Sequence, residues 1–364
     1  MKILGVAVAV ISMSAALEAA ADAKHVEIFR PGAVWPDDKG VHINAHGGGV
    51  LFDHGTYYWF GEHKVHGEIG NTAQVGFHVY SSTDLYNWKD RGIALAVSDD
   101  PASDITRGAI LERPKVLRNP RTGKYVMWFH LEFKGQDYKA ARSGVAIADR
   151  PTGPYKFLGS FRPNAGVWPI NVTEQDKQLG EHNFLARDFA GGQMARDMTL
   201  FVDDDGKAYQ IYSSEENQTL QVSELSDDYL RPSGRYARIL PGGSNEAATI
   251  FKHNGHYYLI TSGTTGWWPN AARSAVADHI FGPWRSLGNP VRGTPEQMAT
   301  TFGGQSTFAL PAPCGHGQII LMFDQWRPKD PIDGRYVWLP VEWEGEKPVI
   351  HWRDSWSLRD ICHK

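Results

Sequence analysis

One pattern returns five times along the chain and constrains the fold more than any other feature. It is a polar residue, an apolar run of strand character, a glycine turn, and a second run rich in Tyr, Trp or Phe. The copies begin at His46 (HGGGVLFDHGTYYWFGE), Glu112 (ERPKVLRNPRTGKYVMWFH), Asp197 (DMTLFVDDDGKAYQIYSS), Glu246 (EAATIFKHNGHYYLITSG) and Gln305 (QSTFALPAPCGHGQIILMF). In three copies the polar residue stands nine positions before the turn glycine: His46 to Gly55, Asp197 to Gly206, Glu246 to Gly255. Asp205-Gly206 and Asn254-Gly255 are two-residue hairpin signals, because Gly and Asn tolerate the positive φ such turns require. His54-Gly55 and Thr122-Gly123 stand at matching places. Each hairpin is followed by a second, weaker unit, as at 75–92, 143–160, 220–235 and 274–288, and each reads as another strand, a turn and a short outer strand. Four strands repeated five times predict an all-β, five-bladed β-propeller. A two-sheet sandwich has the same strand requirement but does not explain the register. No long segment has helical periodicity. The irregular, repeat-free segment 161–195 is expected to be a surface loop between the second and third blades, placed where it can shape a pocket.

In a propeller the first strand of each blade borders the central axis, so matched polar positions converge at one mouth. Here those positions are His46, Glu112, Asp197, Glu246 and Gln305. A lone carboxylate at a strand start reads as an ion pair or a turn cap; three in matched repeats read as a site. Carboxylates held close repel, and burial raises the pKa of the less solvated one. One is then kept as an acid near neutral pH while another stays charged. That equipment suits cleavage of a glycosidic bond, with an acid for the leaving oxygen and a base or nucleophile on the opposite face.

The chain of 364 residues has a net charge of −4 and no basic run, which argues against nucleic-acid binding. Its 13 Trp and 14 Tyr suit the apolar faces of sugars as well as strand packing. Met1-Lys2, the apolar stretch Ile3–Ala16 and the small residues of Leu17–Ala23 read as an export signal, too short to span a bilayer as a stable helix. Residues 1–23 are therefore set aside as a signal peptide and 24–364 taken as one domain. The mature protein is expected to be secreted or periplasmic, off the membrane and monomeric. The only two cysteines, Cys314 and Cys362, either pair and pin the C-terminus or remain free thiols, and they form no metal-ligand cluster.

At the repeat starts the chain resembles glycoside hydrolase family 43, over about residues 40–345. The most specific pieces are Arg196-Asp197-MTLFVDDDGKAY and Asn245-Glu246-AATIFKHNGHYYL. The resemblance implies Glu246 as general acid and Asp197 as the residue that orients it and tunes its pKa. The family's usual base, an aspartate opening the first blade, is absent, since that register holds Ala45-His46-Gly47-Gly48-Gly49. The exo-β-1,3-galactanase and galactosidase branch looks the same here. It also has the runs seen at Glu112–Val116, Ser214–Asn217, Thr261–Trp267 and Gln305–Thr307.

That branch resemblance implies that Gln305 holds the attacking water, by positioning or as an imidic-acid tautomer. Glu112 competes for the base role or acts as a second pKa modulator. Glu62, Asn217 and Thr264 are implied as partners of sugar hydroxyls, and Trp267 or Trp268 as a stacking platform. His46 is implied either in substrate binding, in orienting a carboxylate, or in holding a water or metal in the channel. No cofactor is expected to be required; a structural calcium in the channel is the one metal the resemblance allows. Asp203-Asp204-Asp205 reads as a hairpin turn and not as a calcium loop. The expected activity is exo-acting, inverting hydrolysis of β-1,3-linked galactan or arabinogalactan, a plant-type polysaccharide or its oligosaccharides. An α-L-arabinofuranosidase or β-xylosidase of the same family, and a non-catalytic glycan-binding propeller, are the alternatives. The retained Glu246 and Asp197 disfavour the binder, which needs no tuned acid.

Overall fold

The computed structural model describes residues 27–266, 268–315 and 317–362. The expected export signal, residues 1–23, lies outside the described residues. Among those described, no helix is long and apolar enough to cross a membrane.

The first sheet holds β1 (His46–Asp53), β2 (Thr56–His63), β3 (Gly76–Ser82) and β4 (Lys89–Ala96), each antiparallel to the next. The second repeats this order with β5 (Ile110–Arg118), β6 (Tyr125–Glu132), β7 (Arg142–Ala148) and β8 (Lys156–Phe161). The third has β9 (Met198–Val202), β10 (Ala208–Ser214), β11 (Thr219–Leu225) and β12 (Pro232–Ile239). The fourth has β13 (Asn245–His253), β14 (His256–Gly263), β15 (Arg273–Ala277) and β16 (Arg285–Gly288). After the short β17 (Val291–Arg292), the fifth sheet has only β18 (Gln305–Pro311), β19 (Ile319–Gln325) and β20 (Arg335–Pro340).

The expectation of five blades is corrected: the propeller ring contains six sheets. The sixth joins β17 in parallel to β22 (Lys347–His351), which pairs antiparallel with β21 (Glu342–Glu344). Its strands are very short and one pairing links segments far apart in sequence, so the repeat pattern does not announce it. Pro340 ends β20, and the chain then folds into the separate β21–β22 hairpin about Gly345 (φ 62°).

Apolar faces pack between neighbouring sheets. Phe60, Phe77, Met127 and Phe129 join the first and second. Trp128, Met198, Leu200 and Tyr212 join the second and third, and Ile211, Val222, Ile250 and Leu259 the third and fourth. The seam that returns to the first sheet is aromatic: Trp59 lies 4.7 Å from Tyr336 and 4.8 Å from Trp338 between ring centroids. The ends of the chain fasten this seam. Phe29 bridges to Trp356 and stacks on it at 4.4 Å, and Cys314 is disulfide-bonded to Cys362.

The hairpin signals are realised in different ways. His54-Gly55 and Asn254-Gly255 take positive φ at both positions, as a tight two-residue turn requires. Asp205-Gly206 instead closes a three-residue loop: Gly206 N–H donates to the Asp203 carbonyl, and only Gly206 has positive φ. Segment 161–195 contains one helical turn, Phe184–Arg187. It buries Leu185, Gln193 and Met194, and none of its residues lines the main cavity.

The three glycines after His46 are explained individually. Gly47 has φ 61°, and a Cβ there meets Glu62 Oε1 at 2.3 Å. A Cβ at Gly48 meets the Phe60 carbonyl oxygen at 1.8 Å, and one at Gly49 meets Lys115 Cδ at 2.6 Å. Gly48 is the least forgiving, because its obstacle is backbone. Gly48→Ala is expected to lower stability by about 3 kcal/mol, the upper range for overpacking a core. Gly191→Ala, where nothing lies within 4 Å, is the neutral control. Urea unfolding midpoints of the two variants against wild type check this.

Candidate active site

The first strands β1, β5, β13 and β18 carry the polar repeat residues at or near their starts, and Asp197 directly precedes β9. A register shift follows each of His46, Glu112 and Glu246, and one lies between Ser306 and Phe308. The residue after each of the first three has positive φ: Gly47 at 61°, Arg113 at 54°, Ala247 at 54°. Such bulges re-aim side chains at the rim of a sheet. Two are occupied by non-glycine residues, a strained conformation that concentrates at functional sites. Pro114 sits inside the second bulge, where the missing N–H costs no ladder bond.

The result is a cavity of about 450 Å³ lined by residues of five sheets. Glu246, Asp197, Gln305, Glu112, Glu62, Asn217, Thr264, Trp268 and His46 all border it. Trp267 lies outside the described residues.

Arg113 is the hub. Its Nε is 2.9 Å from Asp197 Oδ1, its Nη1 donates to the Ser306 carbonyl at 3.0 Å, and its Nη2 donates to Gln305 Oε1. Its backbone N–H donates to Glu62 Oε1 at 2.9 Å. The second carboxylate oxygen of Asp197 accepts the bulged Ala247 N–H at 3.0 Å, which ties Asp197 to the strand that carries Glu246. Gln305 Nε2 donates both to Glu246 Oε1, at 3.0 Å, and to Ser262 Oγ, at 2.8 Å.

These neighbours set the protonation states. Burial, then the negative charge of Asp197, push the Glu246 carboxyl up to about 8. The Arg113 charge and the Gln305 hydrogen bond offset part of that rise. Glu112 behaves oppositely. Burial alone would raise it, but the hydrogen bond and charge of His130 hold it well below the ordinary carboxylate range. Tyr138 OH donates to its Oε1 at 2.7 Å, Asn71 Nδ2 donates to the same oxygen, and His130 Nδ1 sits 2.8 Å from Oε2. His130 Nε2 meets Glu132 Oε1 at 2.8 Å. Its two carboxylate partners outweigh burial and lift the imidazole to about 9.

Glu112, His130 and Asp197 form the group of possible metal ligands among the described residues, with donor atoms within 4.8 Å of one another. They do not fit calcium. Both nitrogens of His130 already face carboxylates, and calcium takes oxygen donors. The imidazolium supplies the positive charge there.

The implied substrate contacts divide by exposure. Trp268 is 80% exposed on the rim. Asn217 ends a run, Glu215–Asn217, with all three φ values positive, and its Oδ1 is buried without a hydrogen-bond partner. Glu62 is a wall residue already held by Arg113 N–H and Lys64 Nζ. His46 is 1% exposed and neither ring nitrogen makes a hydrogen bond; its ring packs edge-on to Trp326 at 5.7 Å.

On the second strands Glu62 pairs with His46, His130 with Glu112, Ser262 with Glu246, and Asp324 with Gln305; of these four the resemblance implied Glu62, and the repeat reading missed the other three. All four line the cavity or bond to a residue that does. Aligning the second strands in the register of the first would have found them. Arg113 lay inside the quoted Glu112–Val116 run, without a role.

The sequence profile of glycosyl hydrolases family 43 matches residues 48–320. A family 43 β-1,3-galactosidase solved with galactodeoxynojirimycin is 52% identical, covers 90% of this chain and all of its own, and superposes with a TM-score of 0.86. An exo-β-1,3-galactanase from Phanerochaete chrysosporium, solved with β-1,3-galactotriose, is 33% identical over 91% of this chain and 68% of its own, with a TM-score of 0.76. A β-D-galactofuranosidase from Aspergillus niger is 25% identical over 65% of this chain. The chain spans 63% of the length of that last enzyme. The chain belongs to glycoside hydrolase family 43. It is a glycosidase, acting on carbohydrate.

The position of the Glu246 proton is directly measurable. Asp197→Asn removes the negative neighbour and is expected to bring Glu246 from about 8 toward its ordinary value of 4.5. An isotope-edited infrared titration of the glutamate carboxyls checks this, and an unchanged titration would leave burial and the Glu112 charge as the causes.

Proposed function

We propose that the protein is an exo-acting β-1,3-galactan hydrolase that inverts the anomeric centre, with Glu246 as its general acid. The observation that carries this reading is the Glu246 carboxyl: partly buried, held by Gln305, and pushed up to about 8 by burial and the charge of Asp197. A proton kept at that pH is what protonating a glycosidic oxygen requires. The 52% identity to a β-1,3-galactosidase supports the sugar and the linkage.

In this reading a terminal galactose enters the cavity and Glu246 protonates the leaving oxygen. Asp197, fixed by Arg113 and the Ala247 N–H, orients the acid and keeps it protonated. Both Nε2 protons of Gln305 are committed to Glu246 and Ser262, which leaves Oε1, already bonded to Arg113, to hold the attacking water through its other lone pair. Glu112 has both oxygens engaged, so it serves as a fixed anion facing the developing positive charge of the sugar, not as the base. Inversion calls for room for that water between the acid and the opposite face, roughly 6.5–9.5 Å between carboxyl groups in enzymes that use a carboxylate base. Asn217, Thr264 and Trp268 contribute sugar contacts. No metal takes part, and the protein acts as a monomer outside the cytoplasmic membrane after loss of residues 1–23.

Incubation with β-1,3-galactobiose is expected to release galactose, first as the α anomer by proton NMR. Glu246→Gln is expected to lower the rate at least about a thousand-fold, within the range set by loss of a general acid. An unaffected variant would remove Glu246 from the acid role, and a first-formed β anomer would remove inversion. The rate should also fall about tenfold per pH unit above about 8, as the Glu246 proton is lost. A pH profile of kcat/KM reads that limb. If galactobiose is inert while arabinosides or xylosides are cleaved, the sugar assignment moves to those substrates.

A further inference from the structure

Asp324 and Trp326 stand at the end of β19 and just beyond it, two positions apart and both facing the cavity. Neither belongs to the repeat, and the mechanism above uses neither. Asp324 is nearly buried, yet only one of its oxygens is satisfied within the protein. Oδ2 accepts the bulged Gly47 N–H at 2.6 Å and lies 3.5 Å from His46 Nδ1. Oδ1 makes no hydrogen bond among the described residues. A carboxylate that served only to cap the Gly47 bulge would need one oxygen; the second is left open to the cavity as an acceptor.

The placement is also rigid. Lys115 Nζ donates to the Gly47 carbonyl at 2.8 Å, from a stem that fits only because Gly49 has no side chain. The bulge is thereby fixed on both sides of its peptide, and the Oδ2 bond orients the remaining oxygen. Beside it, the Trp326 ring has His46 edge-on on one side and the Lys64 ammonium 4.9 Å from its centroid. An indole so held lines the cavity beside a carboxylate. That pairing matches a sugar ring: apolar C–H groups for the indole, and a neutral hydroxyl for the carboxylate.

We propose that Asp324 is a specificity-determining residue whose Oδ1 accepts one hydroxyl of the terminal sugar, with the Trp326 ring against the adjoining C–H face. This rests on the glycosidase reading above and assigns its recognition wall. The bond is charge-assisted and is formed at a preorganised oxygen, so its loss should be specific to one hydroxyl.

The test is a cycle between protein and substrate. Nitrophenyl β-galactoside and its 2-, 3-, 4- and 6-deoxy analogues are assayed with wild type and Asp324→Asn, which keeps the shape and an acceptor for Gly47. One deoxy analogue is expected to lose roughly ten- to a hundred-fold in kcat/KM with wild type, the range for a hydrogen bond to a charged group. Asp324→Asn should lose that factor on the parent galactoside and almost nothing further on that analogue. A melting curve of each variant establishes that it is folded. Trp326→Ala is the second variant: it should weaken all five substrates while keeping the wild-type pattern among them. If folded Asp324→Asn loses one common factor on all five, Asp324 acts only through the fold or the chemistry, and the proposal falls. Wild-type turnover of the parent galactoside separates that result from failure of the galactoside reading itself.

Discussion

The pairing of Arg113 with Asp197 and Gln305 is the interaction on which the site depends. One guanidinium reaches the third and fifth sheets from the second, and its own peptide N–H holds Glu62 of the first. Being planar and always charged, it fixes several directions at once, which a lysine at this position would not do. It also sets a balance. Alone, Asp197 would drive the Glu246 proton on more tightly; Arg113 restrains that rise and keeps the acid able to part with its proton. Glu112, with a carboxylate oxygen within 4.8 Å of one of Asp197, is held as an anion by His130. Two carboxyls on the first strands of the second and fourth sheets thus differ in charge because one faces an imidazolium and the other faces a carboxylate.

The bulges explain how a regular sheet presents these groups. A strand in strict register alternates its side chains between faces, and the polar residue would be followed by one pointing away. The extra residue at Gly47, Arg113 and Ala247 breaks the alternation and releases a peptide N–H. Those N–H groups bind Asp324, Glu62 and Asp197 in turn. One device, used three times, places both the side chain before the bulge and the carboxylate opposite it.

Much of the site was legible in the sequence because Glu246, Asp197, Glu112, Gln305 and His46 occupy one register, and a closed ring turns a register into a place. Their partners Asp324, His130 and Ser262 were not, since they stand on the second strands, each seven positions after a turn glycine (Gly317, Gly123, Gly255), where the residue type changes from copy to copy. The blade count failed for a related reason. The sixth sheet pairs two residues at Val291–Arg292 with a strand more than fifty positions later, and no local pattern encodes that contact. Segment 161–195 looked like a pocket wall because it is long and irregular. It instead packs Leu185 and Met194 inward, and Arg187 links it to the site by binding Glu216 beside Arg196.

The aromatic seam between the fifth and first sheets has a consequence for when the molecule becomes an enzyme. His46 and Glu62 leave the ribosome early, and Gln305, Asp324 and Trp326 emerge near the end of synthesis. Contacts this distant in sequence form late, because the entropy of closing the chain must be met before they contribute. Until Trp338 docks on Trp59, the nascent chain holds Glu246 and Asp197 but lacks the wall formed by the fifth sheet. The cavity is complete only once the ring has closed, and the stacking of Phe29 on Trp356 and the Cys314–Cys362 disulfide hold that closure together.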